Sequence, residues 1–491
     1  MTRTLTQNEV LGNRLPLIGG EFVEPAVDTF DAINPTTGEL LATIPRCGAA
    51  EIDRAVAAAR AAFPGWSGRP AGERAAMLFK LADWIDANVA QLIHLDAIDI
   101  GRTVHELPYD YYLAGGQYRF FASAIAAHDG WNSSSAAGWM VAKREPLGVV
   151  GQIIPWNVPA IMVAFKIAPA LAAGNTVVLK PDENASLSTL HLCTALAEIF
   201  PPGVVNVVPG MGEEAGAALT AHPGVAKLAF TGSAEVGRLI AAAGAERLIP
   251  VSLELGGKSP NIVFPDVDDL DLVIANATFG AIFCNGQSCL AGTRLFVHDA
   301  VYDEAIPLLK NAFDGVRLGS PLDPATRLGP LVSAKQGEQV LDYISSGKET
   351  ANLITGGERA EVAGGENGVF IQPTLFETTN DTRIAREEIF GPVLSVIRWR
   401  DWDDMIAQAN DTAYGLAAGL YTSNLANAMR TADALEAGSV WVNAYVNLNP
   451  GAPFGGYKES GLGRENCKET LDMYSTLKTI MLSTQVPPPM M

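Results

Sequence analysis

The feature that most constrains the fold of this chain is a regular alternation of short apolar runs and longer helical stretches after residue 148. The apolar runs predict strands at 149–154, 176–179, 204–208, 228–231 and 251–253. Strands that are apolar on both faces and alternate with helices form a parallel sheet covered on each side. Such a sheet binds ligands at the carboxyl ends of its strands, so functional side chains are expected directly after these runs.

A second alternation begins near residue 260 and predicts another α/β unit. Its strands are expected at 295–297, 370–374, 393–399, 416–421 and 439–443. Because 491 residues exceed one typical core, the two series are interpreted as separate domains. A small polar excursion at 130–143 and an apolar tail strand at 477–482 predict a β arm. The tail strand is expected to pair near Met140, and the arm to pair with another subunit.

Charge and composition disfavour several classes of function. Lys and Arg total 34 against 54 Asp and Glu, and the formal charge of −20 disfavours nucleic acid and anionic membranes as partners. The best candidate for a membrane span, 161–179, is interrupted by Lys166, Pro169 and Gly174. Residues 1–7 lack the apolar core of a signal peptide, so a cytoplasmic protein is expected. The five cysteines and six histidines lack metal-site spacing, so no metal site is expected.

Cys289 lies in a segment of small residues between Gly286 and Gly292. Small neighbours leave room for a substrate to approach the sulfur. A thiolate is the strongest nucleophile among protein side chains, although a free thiol with a pKa of about 8.5 is only partly ionised near neutral pH. A buried cysteine that packs as a small hydrophobe is the alternative, and this segment alone does not decide. Because the histidines are scattered, a nucleophilic Cys289 is expected to use another kind of base.

Two polar side chains at strand ends suit general-base and oxyanion chemistry. Glu254 directly follows the apolar run 251–253. Burial at this position would raise the pKa of its carboxyl toward neutrality and make it a general base. An ion pair with Lys258 is the structural alternative. Asn157 follows the run 149–154 between two prolines, and its amide can donate a hydrogen bond to an oxyanion. A turn-forming role is the structural alternative for Asn157.

Two further strand ends suit a nucleotide. Gly232 and Ser233 form a glycine turn and a hydroxyl at a helix start, where free N–H groups and the positive end of the helix dipole face an anion. Simple N-capping by Ser233 is the alternative. Lys180 and Glu183 follow the run 176–179 and suit the two hydroxyls of a ribose, with a solvated loop as the alternative. A carboxylate there would also repel a 2′-phosphate, which favours NAD over NADP.

Together these motifs resemble those of the NAD(P)-dependent aldehyde dehydrogenase superfamily, of the hydrolytic, non-acylating type. The resemblance runs nearly end to end and rests on separated motifs in the family's order: Pro155-Trp156-Asn157, Lys180-Pro181, Phe230-Thr231-Gly232-Ser233, Glu254-Leu255-Gly256-Gly257-Lys258, Gly286-Gln287-Ser288-Cys289, Glu388-Ile389-Phe390-Gly391-Pro392 and Pro453-Phe454-Gly455-Gly456. The resemblance implies an α/β fold with two parallel-sheet domains and a small β arm. It divides the chain into a Rossmann-like NAD-binding domain at 1–127 and 147–257, a catalytic domain at 258–470, and an oligomerisation arm and tail at 128–146 and 471–491.

For catalysis, the resemblance implies that Cys289 attacks the aldehyde to give a thiohemiacetal. Asn157 and the backbone N–H of Cys289 would hold the oxyanion, which drives hydride onto the nicotinamide. Glu254 would then activate the water that hydrolyses the thioester. Lys166 completes the predicted catalytic set, which contains no metal.

For the cofactor, the resemblance implies NAD, with NADP as the alternative. Lys180 and Glu183 would hold the adenosine ribose, Ser233 the pyrophosphate, and Glu388 with Phe390 the nicotinamide end. The full predicted cofactor set is Ile153, Pro155, Trp156, Lys180, Glu183, Gly232, Ser233, Leu255, Gly256, Glu388 and Phe390. Because family members are typically dimers or dimers of dimers, a homodimer or homotetramer is expected.

One departure from the family pattern lies beside the predicted ribose site, where Asp182 replaces the small residue that the family usually has. The other departures concern the substrate. The common Phe after the oxyanion Asn is Val158 here, and a frequent Trp of the next helix is Phe165. The predicted substrate pocket consists of Val158, Phe165, Leu290, Val446, Leu448 and Phe454. These positions are apolar and supply no Arg or Lys to hold a second carboxylate, so an uncharged aliphatic or aromatic aldehyde is expected.

Three other functions are alternatives: a semialdehyde dehydrogenase with a carboxylate-bearing substrate, a CoA-acylating dehydrogenase, and a non-catalytic member of the family. CoA-acylating chemistry does not need a water-activating base, so Glu254 argues against it. The complete set of Cys289, Glu254 and Asn157 argues against a non-catalytic protein.

Overall fold

The computed structural model describes residues 11–25, 27–135 and 138–486. Its strands, in chain order, are β1 Leu17–Ile18, β2 Glu21–Phe22, β3 Thr29–Ile33, β4 Leu40–Pro45, β5 Trp131–Ser135, β6 Gly138–Pro146, β7 Val149–Ile153, β8 Thr176–Lys180, β9 Val205–Val207, β10 Lys227–Thr231, β11 Val251–Glu254, β12 Pro260–Val263, β13 Arg294–His298, β14 Asn352–Thr355, β15 Thr374–Glu377, β16 Val393–Trp399, β17 Tyr414–Gly415, β18 Ala417–Tyr421, β19 Ser439–Val442, β20 Tyr457–Lys458, β21 Gly461–Leu462 and β22 Ser475–Ser483.

Helices connect most of these strands. In chain order they are α1 Ala49–Ser67, α2 Ala71–Ile100, α3 Leu107–Ala124, α4 Pro159–Ala172, α5 Leu187–Ile199, α6 Ala217–Ala221, α7 Ala234–Arg247, α8 Leu270–Ile282, α9 Asp299–Asp314, α10 Ala334–Thr350, α11 Arg383–Arg386, α12 Trp402–Asn410, α13 Leu425–Ala434 and α14 Thr470–Met473. Short 3₁₀ turns occupy Ile125–Ala127 and Phe283–Gly286, and a π turn occupies Gly212–Gly216.

The first predicted sheet is confirmed. Strands β9, β8, β7, β10 and β11 lie side by side in that order, all parallel. Along β8, Val177 and Leu179 pack in the core cluster that contains α4, whereas Val178 packs in the cluster that contains α1. The runs are therefore apolar on both faces because each face is covered by helices. Antiparallel strands extend both edges, β1 and β2 at one and β21 at the other.

The second predicted sheet is also present, in the order β14-β15-β16-β13-β12-β18-β19, and only its edge pair β14–β15 is antiparallel. The strand predicted at 370–374 is wrong, because β15 begins at Thr374. Phe370 and Gln372 instead exchange backbone hydrogen bonds with residues 358–360. Pro373 has no N–H group to donate to a ladder, so pairing with β16 starts only after it.

The arm is a separate three-stranded sheet in the order β22-β6-β5. Met481 on β22 lies opposite Met140 on β6, so the predicted pairing of the tail with the arm is confirmed. Apolar side chains on this sheet remain exposed, among them Trp131, Trp139 and Met481.

In the described ranges, no helix is long and apolar enough to cross a membrane. Within those same ranges, no group of three or more His, Cys, Asp and Glu side chains is placed to hold a metal ion. Residues 1–7, on which the predicted cellular location depends, lie outside the described part of the chain.

Candidate active site

Two cavities meet at Cys289. The first, of about 290 Å³, opens between helices α3, α4 and α8 and is lined mainly by apolar side chains. The second, of about 230 Å³, lies at the carboxyl ends of β7, β10 and β11. We name them the apolar cavity and the strand-end cavity. Asn157 and Cys289 line both, so the same sulfur is accessible from either cavity.

The turn that leads to Cys289 has an unusual backbone. Cys284, Asn285 and Gly286 are consecutive residues with φ of 55°, 58° and 72°, all in the left-handed region. The Asn285 side chain stabilises this turn by donating to two backbone carbonyls, at 2.9 and 3.0 Å, and accepting one N–H at 2.8 Å. A Cβ on Gly286 would lie 2.3 Å from the carbonyl carbon of Gly391, so only glycine fits there. The turn that precedes Cys289 is therefore held in place by its surroundings.

The surroundings of Cys289 favour the protonated form of its thiol. Burial raises its pKa well above the usual range, and the carboxylates of Glu388 and Glu254 raise it further. Hydrogen bonds from the backbone N–H groups of Cys289 and Leu290 act in the opposite direction. Positive charge near the sulfur would stabilise the thiolate, which is the nucleophilic form.

Asn157 follows β7 and is buried beside Cys289. Its Nδ2 donates a hydrogen bond of 2.9 Å to the carbonyl of Gln287. A side-chain amide carries two N–H donors, so a second one is left for an oxygen that forms beside the sulfur.

Glu254 ends β11 and is 3% exposed. Its Oε2 has no hydrogen-bond partner. Burial raises the pKa of this carboxyl well above its usual range, and Glu465 raises it further, while Lys166 lowers it. Lys258 is not among the charges that act on Glu254, so the ion pair considered from the sequence is not formed. A buried carboxyl with a raised pKa and a free oxygen suits a general base.

Lys166 lines neither cavity, but its charge acts on Glu254. Its ammonium group is completely buried and forms an ion pair with Glu465. Both members of this pair act on the charge of Glu254. Lys166 was predicted from the sequence. Glu465 was missed, because it lies in a loop 299 residues later with no local pattern to mark it.

The strand-end cavity collects most of the predicted cofactor residues: Pro155, Trp156, Gly232, Ser233, Leu255, Gly256, Glu388 and Phe390. Three other lining residues, Thr231, Gln336 and Gln339, were missed, and glutamines near the start of an amphipathic helix give no signal in a sequence. Ser233 caps helix α7 by accepting the N–H of Val236 at 3.3 Å. Ser233 therefore both caps helix α7 and lines the strand-end cavity.

One wall of the strand-end cavity is built from Glu388, Phe390 and Trp156. Burial raises the pKa of Glu388 to about 7, and its Oε1 accepts the N–H of Gly257 at 3.0 Å. A Cβ on Gly256 would lie 2.1 Å from Oε2 of Glu388, so a larger residue there would displace the Glu388 carboxyl from its present position. The rings of Phe390 and Trp156 pack edge to face at 5.3 Å.

Three predicted cofactor residues lie outside this cavity. Lys180 ends β8, and its Nζ forms an ion pair of 2.7 Å with Oε2 of Glu183. Glu183 lines a separate cavity of about 300 Å³. Ile153 is the register partner of Lys180 on the neighbouring strand and packs against the apolar core.

All six residues of the predicted substrate pocket line the apolar cavity: Val158, Phe165, Leu290, Val446, Leu448 and Phe454. The rings of Phe165 and Phe454 pack edge to face at 6.0 Å. The sequence did not single out Tyr109, Ile161, Met162, Phe279 or Phe283, which also line it, because apolar residues at helical spacing are usually core. Cys284 lines it too and is buried.

The apolar cavity carries one buried charge cluster. Arg102 is the one Arg or Lys among the described lining residues, and its guanidinium is buried. It is paired with Asp110 and, at 3.3 Å, with Glu106. One cation facing two carboxylates leaves no free positive charge for an anionic substrate.

This chain is similar in sequence and in fold to known proteins of one family. Residues 22–480 match the profile described as the aldehyde dehydrogenase family. A protein named "Probable aldehyde dehydrogenase" from Mycobacterium tuberculosis is 46% identical over 476 residues, covering 95% of this chain and 94% of its own. A Bacillus cereus aldehyde dehydrogenase solved as an NAD+ complex superposes with a TM-score of 0.93 at 42% sequence identity. The match covers 97% of this chain and 98% of the Bacillus cereus chain.

A third similar structure is a Pseudomonas syringae indole-3-acetaldehyde dehydrogenase, solved as a cysteine-to-alanine mutant in complex with NAD+ and IAA. It has a TM-score of 0.93 at 38% identity and covers 98% of this chain and all of its own. A family match along nearly the whole chain, together with relatives above 40% identity, shows that this protein is an enzyme of the aldehyde dehydrogenase family.

Proposed function

We propose that this enzyme oxidises an uncharged aldehyde to its carboxylic acid with NAD as the hydride acceptor. The observation that carries the proposal is the position of Cys289, which lines both the apolar cavity and the strand-end cavity. An aldehyde in the first cavity and the nicotinamide end of NAD in the second would meet at its sulfur. Neither cavity alone would support a redox reaction at that atom.

The residues of the strand-end cavity fit a dinucleotide. Gly232 and Ser233 present the N-terminus of α7, which suits a pyrophosphate. Thr231 contributes a buried hydroxyl with no hydrogen-bond partner, and Glu388 contributes a carboxyl for ribose hydroxyls. When bound, NAD supplies the acceptor for the hydride that leaves the substrate carbon. The NAD+ complexes of the Bacillus cereus and Pseudomonas syringae relatives support this assignment.

In the first half of the reaction, the Cys289 thiol releases its proton to solvent, and the resulting thiolate forms a C–S bond with the aldehyde carbon. The carbonyl oxygen becomes an oxyanion, held by the free N–H of Asn157 and the backbone N–H of Cys289. Both donors are already fixed, Asn157 by its bond to Gln287, so little reorganisation is needed. Oxidation of this thiohemiacetal leaves a thioester on Sγ of Cys289.

In the second half, Glu254 takes a proton from water as the water oxygen attacks the thioester. The C–S bond then breaks, and the proton held by Glu254 passes to the leaving sulfur, which releases the carboxylic acid and the thiol. The negative charge of Glu465 disfavours the ionised form of Glu254, whereas the positive charge of Lys166 favours it. This ion pair therefore sets how readily Glu254 accepts the proton.

The apolar cavity supports an uncharged aliphatic or aromatic substrate. Phe165 and Phe454 provide flat apolar surface beside the sulfur. A carboxylate-bearing semialdehyde would find Arg102 already paired with Asp110 and Glu106. The indole-3-acetaldehyde dehydrogenase of Pseudomonas syringae supports an aromatic substrate.

NAD is favoured over NADP by charge. Asp182 and Glu183 are adjacent carboxylates after β8 and would repel a 2′-phosphate. Lys180 pairs with Glu183 and is therefore not free to attract one.

Self-association as a homodimer or homotetramer is part of the proposal. The arm sheet exposes a set of apolar side chains that includes Trp131, Trp139, Ile480, Met481 and Leu482. Exposed apolar surface of this kind is typical of protein interfaces. The division into an NAD-binding domain at 1–127 and 147–257 and a catalytic domain at 258–470 belongs to the same proposal.

The test is a panel of aliphatic, aromatic and carboxylate-bearing aldehydes, each with NAD and with NADP, compared by kcat/KM. We expect the highest values for uncharged aldehydes with NAD, and a carboxylic acid as the product. Higher kcat/KM for semialdehydes would contradict the substrate assignment. Formation of acyl-CoA instead of free acid, with CoA added, would show acylating chemistry. No NADH from any aldehyde would contradict the function itself.

A further inference from the structure

Two tyrosine hydroxyls hold the ends of one segment of the apolar cavity. This segment, residues 445–448, is called the wall segment here because Val446 and Leu448 line the cavity. At its inner end, the hydroxyl of Tyr445 donates to the carbonyl of Leu290 at 2.8 Å. At its outer end, the hydroxyl of Tyr109 lies 3.0 Å from both the carbonyl and the N–H of Leu448.

The inner tyrosine is seated on glycines from three different parts of the fold. The ring of Tyr445 packs directly against Gly280, Gly292 and Gly419. A Cβ added to these glycines would lie only 2.8, 2.8 and 2.4 Å, respectively, from the nearest ring atom of Tyr445. These glycines lie on α8, the segment after Cys289, and β18. Since the ring of Tyr445 cannot shift against them, its hydroxyl fixes the carbonyl of the residue directly after the nucleophile.

The outer tyrosine connects the wall segment to a different element. Tyr109 lies in the first turn of α3 and is 38% exposed, so it is at the mouth of the cavity. One hydroxyl both donates to and accepts from the backbone of Leu448, which uses its donor and one acceptor. The indole of Trp441 adds a third hydrogen bond, to the carbonyl of Asn447 at 3.0 Å.

Between these attachments the backbone is strained. Val446 has φ of 54°, in the left-handed region that β-branched residues rarely adopt. Such a conformation persists only where the surroundings enforce it. The hydrogen bonds of Tyr445 and Tyr109, which lie on either side of Val446, provide that constraint.

We propose that Tyr445 and Tyr109 are positioning residues that together clamp the wall segment, so that the width of the substrate pocket and the position of the Cys289 segment are set as one unit. This inference rests on the proposed aldehyde oxidation. Bulky aldehydes reach the wall segment and short ones do not, so the clamp is expected to affect the binding of bulky aldehydes more strongly.

The outer half of the clamp is tested with Tyr109→Phe, which removes only the hydroxyl. The matched control is Tyr112→Phe, on the same helix and 69% exposed. We expect KM for phenylacetaldehyde and benzaldehyde to rise about five-fold in Tyr109→Phe, with a smaller rise for propanal, and no change for any of them in Tyr112→Phe. An equal change for all aldehydes, or no change, would overturn the outer role.

The inner half is tested with Tyr445→Phe, by the rate at which iodoacetamide alkylates Cys289 in the absence of aldehyde. Loss of the bond to Leu290 frees the segment after Cys289, so we expect the rate to rise about three-fold while the melting temperature stays close to wild type. An unchanged or slower rate would overturn the inner role. If wild type oxidised no aldehyde, the proposed function would fail, whereas alkylation would still test this half of the clamp.

Discussion

The side-chain amide of Asn157 donates a hydrogen bond of 2.9 Å to the carbonyl of Gln287, across 130 positions of the chain. Gln287 lies two residues before Cys289, so the bond joins the turn after β7 to the nucleophile segment. It occupies one amide hydrogen and holds the other beside the sulfur. Asn157 therefore connects the two sheets at the point where the chemistry is proposed.

Replacing Asn157 with Ala removes a donor to the oxyanion. We expect kcat to fall roughly 10²- to 10³-fold, the usual cost of losing one such donor. The affinity for NAD, measured by titration, should stay within about two-fold, because the remaining cavity is intact. Asn276→Ala, on α8, is the control, since its amide only bonds within its own helix. A kcat within about three-fold of wild type would contradict the oxyanion role.

Replacing Glu254 with Gln removes the base for hydrolysis but leaves the nucleophile. We expect a burst of NADH in the first turnover, followed by a steady rate at least about 100-fold below wild type. Mass spectrometry should then detect an acyl group on Cys289. The exposed Glu246→Gln on α7 is the control. Unchanged steady turnover would remove Glu254 from the mechanism.

The pH dependence of hydrolysis follows from the same carboxyl. Burial and Glu465 raise the pKa of Glu254, so the protonated form, which cannot accept a proton, extends to higher pH than usual. The rate of thioester hydrolysis should therefore rise with pH in a range above that in which an exposed glutamate ionises, and this rise should be absent in Glu254→Gln. A rate that is flat or falls over that range in wild type would contradict the assignment.

Glu183→Gln removes one of the negative charges proposed to repel a 2′-phosphate. We expect the ratio of kcat/KM for NADP to that for NAD to rise about ten-fold, with Lys180 released from its ion pair to attract the phosphate. Glu198→Gln, an exposed position on α5, is the control. A ratio that stays constant would place cofactor choice elsewhere.

Charges on the arm should prevent self-association. Met481→Asp combined with Leu482→Asp puts carboxylates on exposed apolar positions of β22. We expect light scattering to give a smaller assembly than for wild type, with a similar melting temperature of the remaining domains. An unchanged mass would show that β22 is not at an interface.

Those parts of the site that follow apolar strands were predictable from the sequence. Glu254 ends β11, and Asn157 follows β7, and both positions could be read from the alternation of strands and helices. Cys289 was recognisable by its small neighbours, and only distant residues resolved its role. The strand at 370–374 was misplaced because apolar side chains there are buried without joining the ladder, and Pro373 delays pairing.

Contacts between distant side chains were not predictable. Lys166 and Glu465 are 299 residues apart, and nothing in either local sequence indicates the partner. Likewise, Tyr109 and Leu448 are 339 residues apart. Helical spacing marks Tyr109 as an ordinary aromatic residue, and its position at the cavity depends on how α3 packs against the wall segment. Such pairs require the folded chain, because the pattern along one element contains no information about the element it meets.

The most direct measurement is the turnover and intact mass of wild type and Cys289→Ala with NAD and a reactive aromatic aldehyde. We predict that wild type forms NADH and carboxylic acid in equal amounts. Cys289→Ala should form neither and carry no acyl adduct, while still binding NAD. If Cys289→Ala produced NADH at a rate comparable with wild type, Cys289 would not be the nucleophile.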